Sequence, residues 1–190
     1  MRSINCGSRL VVGPWLAVLL LLLDLTVVNG FAAAKISKAR VPQDLPQIRT
    51  CRLTAFDRAV LLNSEQDFVN ATSVAQGRNE CFVARNGNSI VGTADFKMTP
   101  GSRSVLVLNV FVTPESRGQG LAKQMMQAIQ DEAKSRGAQK LTLEVYTNNV
   151  PAYTLYQRDG FVTKGVHAGM AQLSKATGFS FLVEMEKALT

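Results

Sequence analysis

The chain has 190 residues, of which 46% are hydrophobic, and its formal net charge is +7. That length suits one domain plus an N-terminal extension, and the apolar content is sufficient for a packed core. A modestly basic protein is compatible with a polyphosphate ligand or an acidic partner. Lysine and arginine do not cluster with interleaved aromatic residues, so the composition argues against a nucleic-acid partner.

Three cysteines and a single histidine, His167, exclude most metal and disulfide frameworks. Cys6 lies in the N-terminal extension, which leaves Cys51 and Cys81 on predicted strands. Two such cysteines are typical of buried thiols rather than of a bridge. No spacing of metal ligands is present, and no metal is expected.

Residues 1–30 have the pattern of a secretory signal peptide. Arg2 and Arg9 precede an apolar run over residues 11–28, and these are the charged and hydrophobic regions of such a leader. Asp24 within the run weakens the alternative, an uncleaved membrane anchor. A membrane partner is expected only if the leader is not cleaved.

Cleavage before Phe31 would place the small residues Val28 and Gly30 at the positions that signal peptidase reads, and Ala32 and Ala34 offer a second choice. Residues 31–47 then resemble a transit-type linker, since their first ten residues are basic and contain no acid. A signal peptide followed by phenylalanine and a basic stretch resembles the two-part plastid leaders of algae with complex plastids. We therefore expect a plastid protein, with secretion or the endoplasmic reticulum lumen as the alternative.

The remaining residues, 48–190, read as one α+β domain. The patterns predict a first strand over 48–56 and an amphipathic helical region over 57–75. Further elements are predicted from alternation, helical spacing and turn residues: strands over 80–85, 89–98, 104–112, 140–146, 161–164 and 179–186, and helices over 121–136 and 149–159.

A glycine-rich turn follows the strand that ends at Val112. Arg117-Gly118-Gln119-Gly120 leads directly into the helical pattern that begins with Leu121 and Ala122. The first N–H groups of a helix have no intrahelical partner and carry partial positive charge, so such a turn predicts an anion site. Because glycine has no Cβ, a phosphate can approach this backbone closely.

Two common phosphate motifs do not fit this turn. A P-loop needs lysine followed by serine or threonine after its last glycine, and Leu121 stands there. A dinucleotide fingerprint needs a small residue three positions after Gly120, where Lys123 stands.

The turn and its flanks resemble the acyl-coenzyme A turn of the GNAT superfamily of N-acetyltransferases. The superfamily pattern Gln/Arg-x-x-Gly-x-Gly/Ala reads here as Arg117-x-x-Gly120-x-Ala122. A second block is similar to the other GNAT signature: an alternating strand over 141–145, an asparagine-led helix, a Leu-Tyr pair at 155–156, and Gly-Phe at 160–161. The two signatures together cover residues 104–165.

The resemblance implies a GNAT fold, with a mixed, mostly antiparallel sheet of six or seven strands that splays at the acyl-coenzyme A site. Acetyl-coenzyme A is the implied co-substrate. Its pyrophosphate is expected at the amides of Gly118 to Ala122, with Arg117 nearby. Its pantetheine arm is expected along the backbone of Val110, Phe111 and Val112, where one N–H can polarise the thioester carbonyl.

Tyr156 is the candidate general acid, because GNAT members place a tyrosine of the Leu-Tyr pair near the coenzyme sulfur. A phenol is protonated at neutral pH and can donate to the departing thiolate. Tyr153, one helical turn earlier, is expected to be structural or to face the substrate.

Glu144 is the candidate base. Strand alternation separates it from the face of Leu143 and Val145, and members similar to the ribosomal-protein alanine acetyltransferases use the matching glutamate as a base. A solvated acid at the end of the strand is the alternative.

Asn149 matches the family asparagine that contacts the coenzyme and is equally suited to cap the helix that follows. His167 is expected in an exposed loop.

The predicted function is direct acetyl transfer to a primary amine in a ternary complex, the favoured acceptors being protein α-amines or lysines. The alternatives are small-amine acceptors and a non-catalytic acyl-coenzyme A-binding module. Residues 57–79 and 166–178, which would shape the acceptor site, show no motif that names the acceptor.

Overall fold

A computed structural model describes residues 33–56, 61–164 and 177–190. The elements follow one another as β1 (Lys35–Lys38), α1 (Leu45–Leu53), α2 (Asn63–Val69), α3 (Thr72–Ala75), β2 (Glu80–Asn86), β3 (Ser89–Met98), β4 (Ser104–Val112), α4 (Leu121–Ser135), β5 (Lys140–Tyr146), α5 (Val150–Arg158), β6 (Val162–Thr163) and β7 (Leu182–Ala188). Within these ranges no helix has the length and apolar character that a membrane span requires.

The seven strands form one sheet in the order β1-β2-β3-β4-β5-β7-β6. Every neighbouring pair is antiparallel except β4 and β5, which run parallel. The predicted α+β class and the predicted mixed, mostly antiparallel sheet are confirmed.

The parallel pair β4–β5 is joined over only part of its length. Its register runs from Ser104 opposite Lys140 to Leu106 opposite Thr142 and stops there. Beyond that point β4 remains paired with β3, and β5 with β7. The two strands therefore splay apart, and the edges that face each other carry backbone polar groups free to bind a ligand.

Two hydrophobic clusters fill the two faces of the sheet. The larger one contains the helical stripe of α4 (Leu121, Met125, Ile129 and Ala133), which is buried as its spacing predicted. The smaller cluster lies on the opposite side, where α1 and α3 cover β2 and β3 around Ile48, Cys51, Val74 and Val83.

Most of the predicted strands and helices from residue 80 onward are confirmed, the hairpin turn at Gly87 included. The last strand begins at Leu182 rather than at residue 179 and continues to Ala188. The helix predicted from residue 149 begins at Val150, with Asn149 as its N-cap.

The N-terminal predictions need correction. The strand predicted over 48–56 is wrong, because Leu45–Leu53 is helix α1. Pro46 lies in its first turn, where proline is tolerated, and Ile48, Cys51 and Arg52 are buried at helical spacing.

The linker predicted over 31–47 is also wrong in part, since Lys35–Lys38 forms β1, an edge strand paired with β2. The helical region predicted over 57–75 consists of two short helices, α2 and α3, separated by the left-handed residue Ala71. Residues 57–60 of that region lie outside the described residues.

Candidate active site

The glycine-rich turn adopts a conformation that only glycine accepts without strain. Gly118 has φ 77° and Gly120 has φ 73°, both in the left-handed region. A Cβ built at either residue would meet no atom within 4 Å. The turn is therefore open to the cleft beside it, as a phosphate-binding loop requires.

Gly120 is the N-cap of α4, and its carbonyl accepts the N–H of Gln124. The N–H groups of Leu121, Ala122 and Lys123 precede the first intrahelical bond, so they are available to an anion. A cavity of about 560 Å³ lies in front of them, between the turn and α5.

Three neighbouring cavities form a continuous cleft from this turn to the splayed strands. The middle cavity, of about 310 Å³, shares Val112, Arg117 and Leu155 with the cavity at the turn. It also shares Val110, Asn149 and Tyr156 with a third cavity, of about 720 Å³. This third cavity occupies the gap between the separated ends of β4 and β5, which is called the splay below. The predicted coenzyme residues and both predicted catalytic residues line this cleft, except Gln119, which belongs to the same turn.

Two cations at the turn were not predicted from the sequence. Lys123 in the first turn of α4 and Arg158 at the end of α5 both line the first cavity, together with Thr154. Lys123 follows the glycine motif directly, so its place on α4 was a usable signal. Arg158 is far from the motif in sequence, and only the packing of α5 beside the turn brings it there.

Arg117 lies over the end of β4. Its Nε donates to the carbonyl of Val112 at 3.1 Å, and its guanidinium carbon lies 6.0 Å from the ring centroid of Phe111. The side chain thus occupies one backbone acceptor of β4, and it remains exposed beside the turn.

Tyr156 is a buried residue of α5, with 6% of its surface exposed, and it lines the cleft. Burial raises the pKa of its phenol to about 12, so the group retains its proton at neutral pH. Tyr153 is also buried, but its hydroxyl is hydrogen-bonded to Oγ1 of Thr163 at 3.0 Å. That bond ties α5 to β6 and gives Tyr153 a structural role.

Glu144 lies on β5 with the predicted alternation: Leu143 and Val145 are buried, and Glu144 is exposed. It lines the cavity in the splay. Ser64 of α2 lines the same cavity, and α2 lies on the face of the sheet opposite to α5. In the register of β5 and β7, Glu144 is paired with Glu184. This second carboxylate was not predicted from the sequence.

Asn149 caps α5, since its side-chain oxygen accepts the N–H of Ala152 at 3.4 Å. It also lines the middle cavity and the cavity in the splay. The capping role is confirmed. The predicted contact of Asn149 with the coenzyme stays a prediction.

The two described cysteines are free and buried. Burial raises the pKa of Cys51 to about 11 and that of Cys81 well above its ordinary value, so neither is an activated nucleophile. Over the described ranges, no group of acidic, cysteine and histidine side chains could hold a metal ion. His167 lies outside those ranges.

Comparison with known families identifies the family of this chain. Residues 46–161 match the model of the acetyltransferase (GNAT) family. That match covers more than half of the chain, which therefore belongs to the GNAT family.

Curated relatives support the same assignment. The chain is 34% identical over 83 residues to N-alpha-acetyltransferase 30 of Schizosaccharomyces pombe (42% of this chain and 55% of that protein). It is 30% identical over 104 residues to streptothricin acetyltransferase of Streptomyces lavendulae (55% and 54%). The chain thus spans about half the length of these two curated relatives. It is also 30% identical over 160 residues to N-acetyltransferase 8F1 of Rattus norvegicus (82% and 64%).

Solved structures confirm the fold. The crystal structure of the ribosomal-protein-S18-alanine N-acetyltransferase of Escherichia coli is similar with a TM-score of 0.62 and 21% identity, over 83% of this chain and 94% of that chain. A GNAT acetyltransferase of Staphylococcus aureus Mu50 is similar with a TM-score of 0.64 and 15% identity, over 83% and 100%.

Proposed function

We propose that the protein transfers the acetyl group of acetyl-coenzyme A to a primary amine, by direct attack in a ternary complex. The favoured acceptor is a protein N-terminal α-amine or a lysine. The observation that supports this most strongly is the continuous cleft from the glycine turn to the splay between β4 and β5. The backbone amides that could bind an anion lie at one end of it, and two ionisable groups, Tyr156 and Glu144, line it at the other.

The proposed coenzyme site uses mainly backbone groups. The amides of Gly118 to Ala122 would bind the pyrophosphate, and the cations of Arg117, Lys123 and Arg158 would neutralise its charge. The pantetheine arm would lie along β4 from Val112 to Val110, where β4 has no strand partner toward β5 and Arg117 already occupies the carbonyl of Val112. Asn149 would contact the arm where the middle cavity meets the cavity in the splay.

The proposed reaction places the thioester in the splay. The amine nitrogen attacks the carbonyl carbon, and a backbone N–H of β4 stabilises the oxygen as negative charge develops; removal of one such donor typically costs ~10²–10³ in rate. The carbon–sulfur bond then breaks, and the leaving thiolate takes a proton from the phenol of Tyr156. Glu144 takes the proton that the amine releases, directly or through water.

The coenzyme site can be tested with a pair of glycine variants. Gly120→Ala should raise the dissociation constant of acetyl-coenzyme A at least roughly tenfold, because alanine at φ 73° distorts the turn. Gly101→Ala is the matched control, since Gly101 has φ 71° and equally open space but lies in the β3–β4 turn. Calorimetry on both variants and on the wild type measures the effect. A wild type that binds no acetyl-coenzyme A would refute the proposal.

The role of Glu144 can be tested by Glu144→Gln, with Glu184→Gln as its control. Loss of a general base typically costs ~10²–10⁴ in rate, and thiol release with a lysine-bearing peptide measures it. The loss should shrink as the pH rises toward the amine pKa of about 10.4, because the amine then becomes neutral without help. Equal rates of Glu144→Gln and wild type at pH 7 would instead assign Glu144 to the solvated surface.

A small amine is the second candidate acceptor. The 30% identity to streptothricin acetyltransferase favours it, as does the carboxylate of Glu144 in the splay, which suits any cationic amine. Thiol release with a panel of peptides and of polyamines or aminoglycosides distinguishes the two classes.

We further propose that residues 1–30 are a cleaved signal peptide and that the protein is directed to a plastid. These residues lie outside the described ranges. Since β1 belongs to the sheet, we expect the mature protein to retain Lys35 and everything after it. Sequencing of the native N-terminus tests this: a start beyond residue 35 would contradict it, and an intact Met1 would favour an anchor.

A further inference from the structure

Asn109 interrupts β4 at the point where the strand lines the splay. Its φ is 51°, a left-handed value that few residues other than glycine adopt. Asp95 of β3 is paired with Leu108, whereas Thr93 is paired with Phe111. Two residues of β4 therefore lie opposite one residue of β3, which is a β-bulge.

The bulge reverses the side-chain alternation of β4. Before it, Val105 and Val107 belong to the larger cluster under α4 and α5. After it, Val110 and Val112 pack against that same cluster, and Phe111 packs against the smaller cluster on the opposite face. A regular strand would keep the odd-numbered residues on one face throughout. The extra residue therefore sets how the backbone from Val110 onward faces the cleft.

The side chain of Asn109 is tied to a buried charge. Its amide donates to Oδ2 of Asp95 at 2.9 Å. The other oxygen of Asp95, Oδ1, accepts a hydrogen bond from Nη2 of Arg52 at 2.5 Å. The side chains of Asp95 and Arg52 are each 1% exposed. A hydrogen bond to an ionised carboxylate is stronger than one between neutral groups, so the bulge is held by a fixed acceptor.

The remaining donors of Arg52 bond to residues of α2 and β3. Nη1 donates to the carbonyl of Phe68 near the end of α2 at 3.0 Å, and the guanidinium carbon lies 4.9 Å from the ring centroid of Phe68. Nε donates to Oγ1 of Thr93 at 3.2 Å. Because Ser64 of α2 also lines the splay, one buried ion pair joins the wall formed by α2 to the bulge of β4.

We propose that Asn109 is a positioning residue: its bond to the Asp95–Arg52 pair holds the bulge so that a backbone N–H of β4 points at the thioester carbonyl. The proposal rests on the acetyl-transfer function proposed above. Catalysis by a backbone donor depends on its placement, and a displacement of about 1 Å can cost ~10² in rate.

Asn109→Gly isolates the side-chain bond, because glycine adopts a positive φ freely and lacks the amide. Thr93→Val is the matched control: it removes an acceptor from the same guanidinium but leaves the Asn109–Asp95 bond intact. Both variants are compared with the wild type in melting temperature, in the affinity for coenzyme A, and in kcat with a peptide that carries a free α-amine and a lysine. The carbonyl resonance of bound acetyl-coenzyme A labelled with ¹³C at that carbon reports polarisation without any acceptor.

We expect Asn109→Gly to lower kcat roughly tenfold and to move the bound carbonyl resonance toward its free value. The affinity for coenzyme A should fall by a smaller factor than kcat, because its pyrophosphate binds at the glycine turn, which the variant leaves unchanged. Thr93→Val should lower the melting temperature and leave both the kcat and the resonance unchanged.

Two results would overturn the inference alone: an active wild type whose kcat and resonance are unaltered by Asn109→Gly, or equal losses in the two variants. A wild type that fails to bind acetyl-coenzyme A would overturn the proposed function itself, and the inference with it.

Discussion

Tyr153 and Tyr156 show how one helical turn separates two roles for the same residue type. Both are buried on α5, and both were recognised from the sequence. The hydroxyl of Tyr153 bonds to Thr163, whereas Tyr156 lines the cleft between the turn and the splay. The Leu-Tyr pair singles out Tyr156 in the sequence as the candidate acid, whereas the hydrogen bond of Tyr153 depends on β6 and is seen only in the tertiary structure.

Tyr156→Phe should lower kcat by roughly 10²-fold or more, since it removes the proposed proton donor and keeps the ring. The affinity for acetyl-coenzyme A should remain within about twofold. Because burial raises the pKa of Tyr156 to about 12, the wild type should lose no activity through this group between pH 7 and pH 10. Steady-state kinetics across that range, with calorimetry for binding, measures both effects.

Tyr153→Phe is the control for that experiment. It removes the hydrogen bond to Thr163, which should lower the free energy of unfolding by about 1 kcal/mol. The value of kcat should change little. If Tyr153→Phe lost more activity than Tyr156→Phe, the assignment of the acid would have to be exchanged between them.

At the scale of elements, β1 is the segment that the sequence described least well. Ile36 packs against the larger cluster, and Lys38 pairs with Glu80 at 3.1 Å and with Glu132 at 2.7 Å. Alternation over four residues is too short to predict a strand, and the basic composition favoured a linker. The strand forms because β2 supplies a partner edge.

The turn after β1 is fixed by the buried carboxylate of Asp44. Burial by itself would raise the pKa of Asp44, but hydrogen bonds from the backbone and side chain of Arg40 and from Arg85 lower it below its ordinary value. Two of these three donors belong to Arg40, which follows β1 directly. The segment around β1 therefore stabilises the folded protein through Asp44 as well as through its pairing with β2.

A protein that starts at residue 41 should therefore be less stable than one that starts at residue 33, by about 2–4 kcal/mol. It loses the packing of Ile36 and leaves Asp44 short of donors. The exposed ion pairs of Lys38 should contribute little to this difference. Urea unfolding of the two proteins measures it, and equal midpoints would show that β1 is dispensable.

At the scale of the molecule, the cleft is electrically polarised. Arg117, Lys123 and Arg158 line the cavity at the turn, whereas Glu144 lines the cavity in the splay. The arrangement suits a polyanion that enters from one end and a cationic acceptor that enters from the other.

Acetyl-coenzyme A should accordingly bind more weakly as salt is added, by roughly tenfold between 0.05 and 0.5 M sodium chloride, because exposed charges are screened. Lys123→Ala should reduce the slope of affinity against salt. Lys97→Ala, an exposed lysine of β3 that does not line the cleft, should leave the slope unchanged. Calorimetry at several salt concentrations tests the pair, and identical slopes for the two variants would contradict the placement of Lys123.

The sequence by itself determined the features that are encoded locally. The glycine turn, the stripe of α4 and the alternation of β5 follow from residue type and spacing within one segment. The family was therefore predictable, and so was the position of the turn, Tyr156 and Glu144 along one cleft. Only the tertiary structure brought Arg158 to the turn, set Glu184 beside Glu144, and joined Asn109 to Asp95 and Arg52. Those contacts connect residues distant in the chain, and their geometry depends on strand order, register and a bulge that no local pattern specifies.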